Sequence, residues 1–452
     1  MYSEDSRLAA EQKPELNHLK FLHGIYTFLI VTIIVMPQYF GIHIGYDITC
    51  SRFADILLTV YMFSCPMVLT HFWKTTTRCS VFYPLAMYVL VGAYTMVFRV
   101  NVNAFFLIFL EAYTFFLMIY GIRYVLGYKK ALKLIIGCAY FLAVCGLIEF
   151  LYGRSIFLQL LATMPTKVGN SYRSGQFRIM GPCGHSLGYG LLLIILIAIA
   201  CYDIDRDEMN LFRRPFLFTL LLVNVFLNGS RSTLGIVVLE CFLIMVFSRG
   251  VVFKKTIFYV FLFFGIAGTL LFLLQGTEIG RYFMGQIMSV VDQVFDTTYA
   301  AQYGIDSTTL QNSSDYRDVL PRIFTLDWLN PFLGRGSQFG GAEIDGVYIH
   351  SIDNYYVSQY IQYAYPGLVC YALFIITALV TLVREIVKFK SGLAKMTLIG
   401  ISCYFVNLWW VDALQTLKFT YLLLAVFFAY QLERKDREKR AITARKEEFA
   451  LK

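Results

Sequence analysis

Apolar runs of about twenty residues recur along nearly the whole of this 452-residue chain, each long enough to cross a hydrocarbon layer about 30 Å thick as a helix. Windows of about nineteen residues place about twelve such runs. They begin near Phe21, Phe53, Ser80, Val102, Ala131, His185, Phe216, Ser232, Thr256, Tyr356, Leu393 and Ala413, and the last ends near Gln431. A membrane β-barrel would instead alternate apolar and polar residues over strands of about ten. Composition agrees, with 58% of residues hydrophobic and only 15% charged, against about 25% charged in a soluble domain. The expected fold is an all-α polytopic membrane protein, which excludes nuclear, cytosolic and secreted soluble classes.

Two connections are long, about thirty residues from Gly153 to Gly184 and about eighty from Gly276 to Tyr355; the others are short. The chain therefore reads as one transmembrane domain, residues 1–452, with a large loop, 276–355, inserted between the ninth and tenth spans. The ten cysteines show no CxxC pair and no Cys/His ligand spacing, and most lie inside apolar runs. Neither a metal site nor a disulfide framework is expected. The first apolar run follows polar residues with no small-residue cleavage motif, so it reads as a retained span.

The net charge of +9 takes its meaning from where the charges fall. With the N-terminus in the cytoplasm, 27 of the 39 Lys and Arg lie on the cytoplasmic side. The positive-inside rule then puts both termini in the cytoplasm and both long loops outside. The basic tail after Glu433 reads as a solvated, topology-fixing segment, and no nucleic-acid partner is implied.

The arginines left outside run against that bias and fall in short polar motifs beside the spans. Arg178 precedes Gly181, His185 and Ser186; Arg231 lies in the turn from Asn228 to Thr233; Arg317 follows Ser313 to Tyr316; Arg335 lies between Gly334 and Gly336 after Asn330 and Pro331. Snorkelling to headgroups explains any one of them. Four together fit a diphosphate clamp better, because the planar guanidinium holds two phosphate oxygens at once and stabilises the charge of a departing diphosphate.

Within the large loop, Ile279, Phe283, Ile287, Val291, Val294 and Phe295 recur at helical spacing, which predicts an amphipathic helix along the outer surface. Ser314 is placed to cap a helix starting at Asp315, with Arg317 in its first turn as an anion contact. Pairing of Arg317 with Asp315 or Asp318 is the equal alternative. His350, Asp353 and Asn354 close the loop just before the tenth span. Either His350 or Asp353 has the chemistry of a general base, while an Asp-Asn pair before a helix also reads as a cap.

In this order, these stretches resemble the O-antigen polymerase and O-antigen ligase superfamily of bacterial glycan-assembly enzymes, over about Arg178 to Gly367. Arg178, Gly181 and His185 are similar to the family's outer Arg/Gly motif, which there commonly ends in Asn. Gly229 to Ser232 is similar to its Ser-Arg-Ser turn. Arg317, Trp328 and the turn from Asn330 to Gly336 look like its loop helix and Pro-x-x-Gly-x-Gly turn. Asn354 followed after nine residues by Ala364 and Gly367 fits the register of its His-Asn and Gly-x-x-Gly. Asp353 stands where the ligases carry His, and His350 is the nearest histidine.

The resemblance implies a GT-C-like membrane glycosyltransferase in the plasma (inner) membrane of a bacterium, needing no metal or cofactor, with its active site outside. It implies a polymerase that joins undecaprenyl-diphosphate-linked oligosaccharide repeats with inversion. A chain-length regulator and a flippase are its implied partners. In that reading Arg178, Arg231, Arg317 and Arg335 bind the diphosphate, Asp353 or His350 takes the acceptor proton, and His185, Asn354, Tyr355 and Trp328 contact glycan. The alternatives are a ligase-type transferase of the same superfamily and a lipid-linked oligosaccharide flippase. The flippase draws on the mid-span acids Glu111 and Glu240, but has no need of the large loop. The Asp-x-Asp stretch at Asp203 to Asp207 reads as a solvated charge cluster rather than a metal-nucleotide site.

Overall fold

The structure, a computed structural model, describes residues 16–164, 172–173, 176–295, 297–305, 319–337, 341–344, 346–349 and 352–450. Arg317, His350 and the proposed cap at Ser314 lie outside the described residues. The chain is mostly helical, and each apolar window falls on a helix. Before the first long connection come α1 Leu16–Val35, α2 Cys50–Ser64, α3 Pro66–Thr77, α4 Phe82–Arg99, α5 Val102–Gly121 and α6 Tyr128–Tyr152, then a short α7 Ile156–Leu161. Next come α8 Ser186–Ala200, α9 Pro215–Asn228, α10 Arg231–Phe247, α11 Gly250–Leu274 and α12 Glu278–Phe295. The chain ends with α13 Tyr355–Phe389, α14 Gly392–Asn407 and α15 Leu417–Ala450. The strands form two-stranded antiparallel hairpins in the connections, such as Tyr172–Arg173 with Gln176–Phe177.

Among the described residues, five helices are long and apolar enough to cross a membrane: α4, α5 with its continuation to Leu126, α6, α11 and α13. The pair α2–α3 makes a sixth if counted as one span, bent by 115°. The bend sits at Cys65, because the ring of Pro66 pushes the preceding residue out of the helical region, to φ −126° and ψ 86°. Helix α8 has a different role. Every residue of it except Leu187 is buried, and fifteen residues rise only about 22 Å. It is the central post against which α6, α9, α10 and α14 pack.

At its basic end the bundle is tied by ion pairs. Arg78 and Arg123, which the charge count places on one side, both pair with Asp436, and Arg434 of the same helix holds Glu385 at 2.6 Å. The Asp203–Asp207 turn is more ordered than a solvated cluster. Asp203 is buried, pairs with Arg213 at 2.9 Å and accepts the Asp205 and Arg206 amides. Asp207 accepts Tyr202 Oη and the Leu393 amide.

The amphipathic helix of the large loop is present as α12, but it is rotated from the expected face. Tyr282, Gly285, Ser289 and Asp292 face the protein, while Ile279 and Phe295 stay exposed. The cause is partly polar: Tyr282 Oη donates to Phe226 O at 3.1 Å, and Asp292 gathers the turn that follows. Hydrogen bonds add to the apolar contact of Phe283 with Phe226 in setting the roll of this helix.

Helix α13 is broken in its first third, at Ala364. Ala364 adopts φ 54° and ψ −164° inside it, two residues before Pro366. Proline removes an amide and its ring clashes with the carbonyl four residues back, which is Gln362. The turn from Pro331 to Ser337 fills the gap. Arg335 N donates to Ile361 O at 2.8 Å, Gly336 N donates to Gln362 O at 2.9 Å, and Tyr365 N donates to Pro331 O at 3.1 Å. Arg99 Nε fixes the turn from the other side by donating to Gly334 O at 2.8 Å. Glycine at 334 is required, because a Cβ there would lie 2.1 Å from Gln362 O.

Ala364 occupies backbone space that belongs essentially to glycine and costs about 1–3 kcal/mol, while alanine recovers about 0.4–1 kcal/mol through the unfolded chain. Ala364→Gly should therefore stabilise the purified protein by about 1 kcal/mol. The measurement is thermal unfolding in detergent, and an unchanged or lower midpoint would show that the break is not strained.

Candidate functional site

The non-helical connections at the His185 end of the bundle are built around two short segments. In the first, residues 178–181 run between α6 and α9. Glu149, in the last turn of α6, accepts Gly181 N at 2.9 Å and Met180 N at 3.4 Å. Ile179 N donates to Leu227 O, and the buried Asn228 donates from Nδ2 to Ile179 O and Ser186 O. Gly181 sits at φ 49° against the Tyr189 ring, where a Cβ would come within 2.7 Å. That explains glycine three residues after Arg178.

Arg178 is thereby laid, buried, across the turn that opens α10. Its Nε donates to Asn228 O at 3.0 Å, and a Cβ on Gly229 would sit 3.2 Å from its side chain. Ser230 caps α10, and Arg231 is the first residue of that helix. Two of the four arginines singled out from the sequence thus come to one turn. Asp292 of α12 faces the same place. Burial opposes its ionisation, but hydrogen bonds from Thr297, Ala300 and Tyr299 and the Arg231 charge together hold its carboxyl below the usual range.

The second segment is the start of α13. Asn354 caps it, accepting the Tyr356 and Val357 amides at 3.0 and 3.1 Å. Its Nδ2 donates to Trp409 O at 2.9 Å, and Tyr355 N donates to Leu408 O at 3.0 Å. These bonds staple the start of α13, and Asp353 with it, to the connection between α14 and α15. Asp412 lies on that connection. Burial pushes its carboxyl up to about 6, and the charge of Asp353 adds to the rise.

His185 links the two segments. It caps α8 through Nδ1, which accepts Leu187 N at 3.1 Å, so its proton resides on Nε2 in the neutral ring. Burial holds this imidazole below its ordinary 6.5. The Arg178 charge pushes the same way, and Asp353 opposes them. His185 therefore feels the charges of both Arg178 and Asp353, and Asp353 in turn acts on Asp412.

The remaining sequence-derived residues are placed otherwise. Arg335 stacks on Trp328, 4.5 Å from the ring centre, and this pair belongs to the turn docked at the α13 break. Tyr355 is buried against Tyr356 and Tyr371. Asn354 is engaged on both sides of its amide. Glu240 is fully buried on α10 and Glu111 partly buried on α5. Three acids were not singled out from sequence: Glu149, Asp292 and Asp412. Glu149 and Asp292 bind amides of a later turn and Asp412 that of Ala413 beside it, so only a polar residue beside an apolar run hinted at each.

No protein-family model matches the chain, and a search of curated proteins finds no match.

An Asn side chain caps as His185 does. His185→Asn should hold stability within a few tenths of a kcal/mol, and His185→Ala should cost about 1 kcal/mol, read by thermal unfolding at pH 8. Equal losses for both would remove the capping role. The Asp412 carboxyl is raised above its ordinary 3.8, so the stability it contributes is present at low pH and is lost as pH rises through about 6. Asp412→Asn should therefore raise the unfolding midpoint at pH 8 and leave it unchanged near pH 4; a pH-independent difference contradicts the burial account.

Proposed function

We propose that this protein is a polysaccharide polymerase of the outer face of a bacterial plasma membrane, joining oligosaccharide repeats carried on undecaprenyl diphosphate. The observation that carries this reading is the placement of Arg178 against the turn bearing Arg231, with His185 and Asp353 within electrostatic reach. Two guanidinium groups suit a diphosphate leaving group, and a carboxylate nearby suits the removal of one proton. The resemblance of the same residues to the O-antigen polymerase and ligase superfamily points the same way. In that architecture the apolar windows make about twelve spans, with 276–355 as an outer loop.

In this reaction the acceptor hydroxyl oxygen attacks the anomeric carbon of the donor's reducing-end sugar. The bond from that carbon to the diphosphate oxygen breaks with inversion, and undecaprenyl diphosphate leaves. The hydroxyl proton passes to Asp353, or to His350. Arg178 and Arg231 take up the negative charge that develops on the leaving oxygen, and Arg317 and Arg335 belong to the same proposal as further contacts. No step is assigned to a metal.

A flippase is the second reading, favoured by the broken helix α13, since transporters bind substrate at discontinuous helices. The deciding experiment is incubation of purified protein with one lipid-linked repeat unit. A ladder of products is expected; a single transfer would mean a ligase, and no covalent change would leave the flippase. Arg178→Ala should lower product formation by about a hundredfold or more, the scale of removing a group that stabilises transition-state charge, and EDTA should leave it unchanged.

A further inference from the structure

Beside the Arg178 segment lies a cavity of about 770 Å³ between α12, the end of α6 and the turn at 301–304. That volume is within the range of about 300–1,000 Å³ typical of small-ligand sites. Four aromatic rings form its walls: Phe150, Phe177, Tyr282 and Tyr303. Two of these lead directly to the arginines. Phe177 is the residue before Arg178, and Tyr282 is held by its hydroxyl to the carbonyls of Phe226 and Leu227, next to Asn228, which binds Arg178. Glu278, Arg281 and Gln302 supply the polar lining.

A carboxylate, a guanidinium and a carboxamide present acceptors and donors in the mixture that hydroxyl-rich ligands need, and the aromatic rings offer flat apolar faces beside them. A hydrocarbon tail is the poorer occupant, because it would strip water from charged Glu278 and Arg281 without replacing it. We infer that this cavity binds the oligosaccharide of the lipid-linked substrate, while the neighbouring arginines bind its diphosphate. The inference rests on the glycosyl-transfer reading and adds to it a place for the sugar chain. In the donor, the first sugar is bonded to the diphosphate, so a saccharide site must adjoin the diphosphate site, as this cavity adjoins Arg178.

The test uses the full-length protein in detergent and two probes. One is the soluble oligosaccharide released by mild acid from the lipid-linked repeat of the same cells; the other is undecaprenyl diphosphate without sugar. Binding of each is followed by saturation-transfer NMR and titration, on variants whose unfolding midpoint equals that of the wild type. Gln302→Ala and Tyr303→Ala should each weaken oligosaccharide binding by about tenfold and leave undecaprenyl diphosphate binding unchanged; Arg178→Ala should do the reverse. Oligosaccharide affinity equal in wild type and pocket variants, or no oligosaccharide binding beside Arg178-dependent diphosphate binding, overturns the subsite and leaves the functional reading standing. Loss of undecaprenyl diphosphate binding in the pocket variants assigns the cavity to lipid and overturns it too. If neither probe binds the wild type, the glycosyl-transfer reading itself falls.

Discussion

A backbone carbonyl or amide with no partner in an apolar surround costs several kcal/mol, and this constraint shapes the irregular stretches around Arg178, Asn354 and Ala364. Helices satisfy it by themselves. Wherever the chain leaves the helix among packed apolar side chains, another segment supplies the missing bonds. Glu149 collects the amides of Met180 and Gly181, and Asn228 donates to the carbonyls of Ile179 and Ser186, on either side of that same segment. Asn354 joins its helix to Trp409, and the turn at Arg335 and Gly336 answers the carbonyls freed by the break in α13. The same irregular stretches carry Arg178, Arg231, Asp353 and Asp412. The groups with chemistry are held where they are by bonds whose first purpose is to keep buried backbone paired.

This explains what the sequence reveals and what it hides. Helix positions follow from run length, since a long apolar stretch has few other solutions. The Arg178, Arg231 and Asp353 motifs stand out because they are polar breaks beside those stretches. The roles of Glu149 and Asp412 are set by residues far along the chain, as when Glu149 meets Gly181 or Asn354 meets Trp409. A single acid near a helix end carries no local pattern. The roll of α12 was hidden for a related reason. Its periodic apolar residues describe one face well, but the protein beneath it offers carbonyls and amides, and Tyr282 and Asp292 answer those.

Charge is organised on the same principle of pairing. At the basic end, Asp436 meets Arg78 and Arg123, and Glu385 meets Arg434, so part of the positive charge there is neutralised locally. At the other end the balance differs. Arg231 acts on Asp292, and Arg178 and Asp353 act on His185; against burial, hydrogen bonds and the Arg231 charge shift Asp292 down, while burial and Asp353 shift Asp412 up. The two acids shift in opposite directions because Asp292 is held by donors and a cation, while Asp412 is buried beside another carboxylate.

Gly334 shows how little material can decide the geometry of such a region. One hydrogen in place of a methyl lets the 331–337 turn lie flat against Gln362. With any side chain there the turn would change from a clasp into a wedge. The segment of α13 before the break, pinned at its start by the bonds to Leu408 and Trp409, would then be strained between two fixed ends. The shape of the helix that carries Asp353 at its start is therefore governed by a hydrogen that Asp353 never touches.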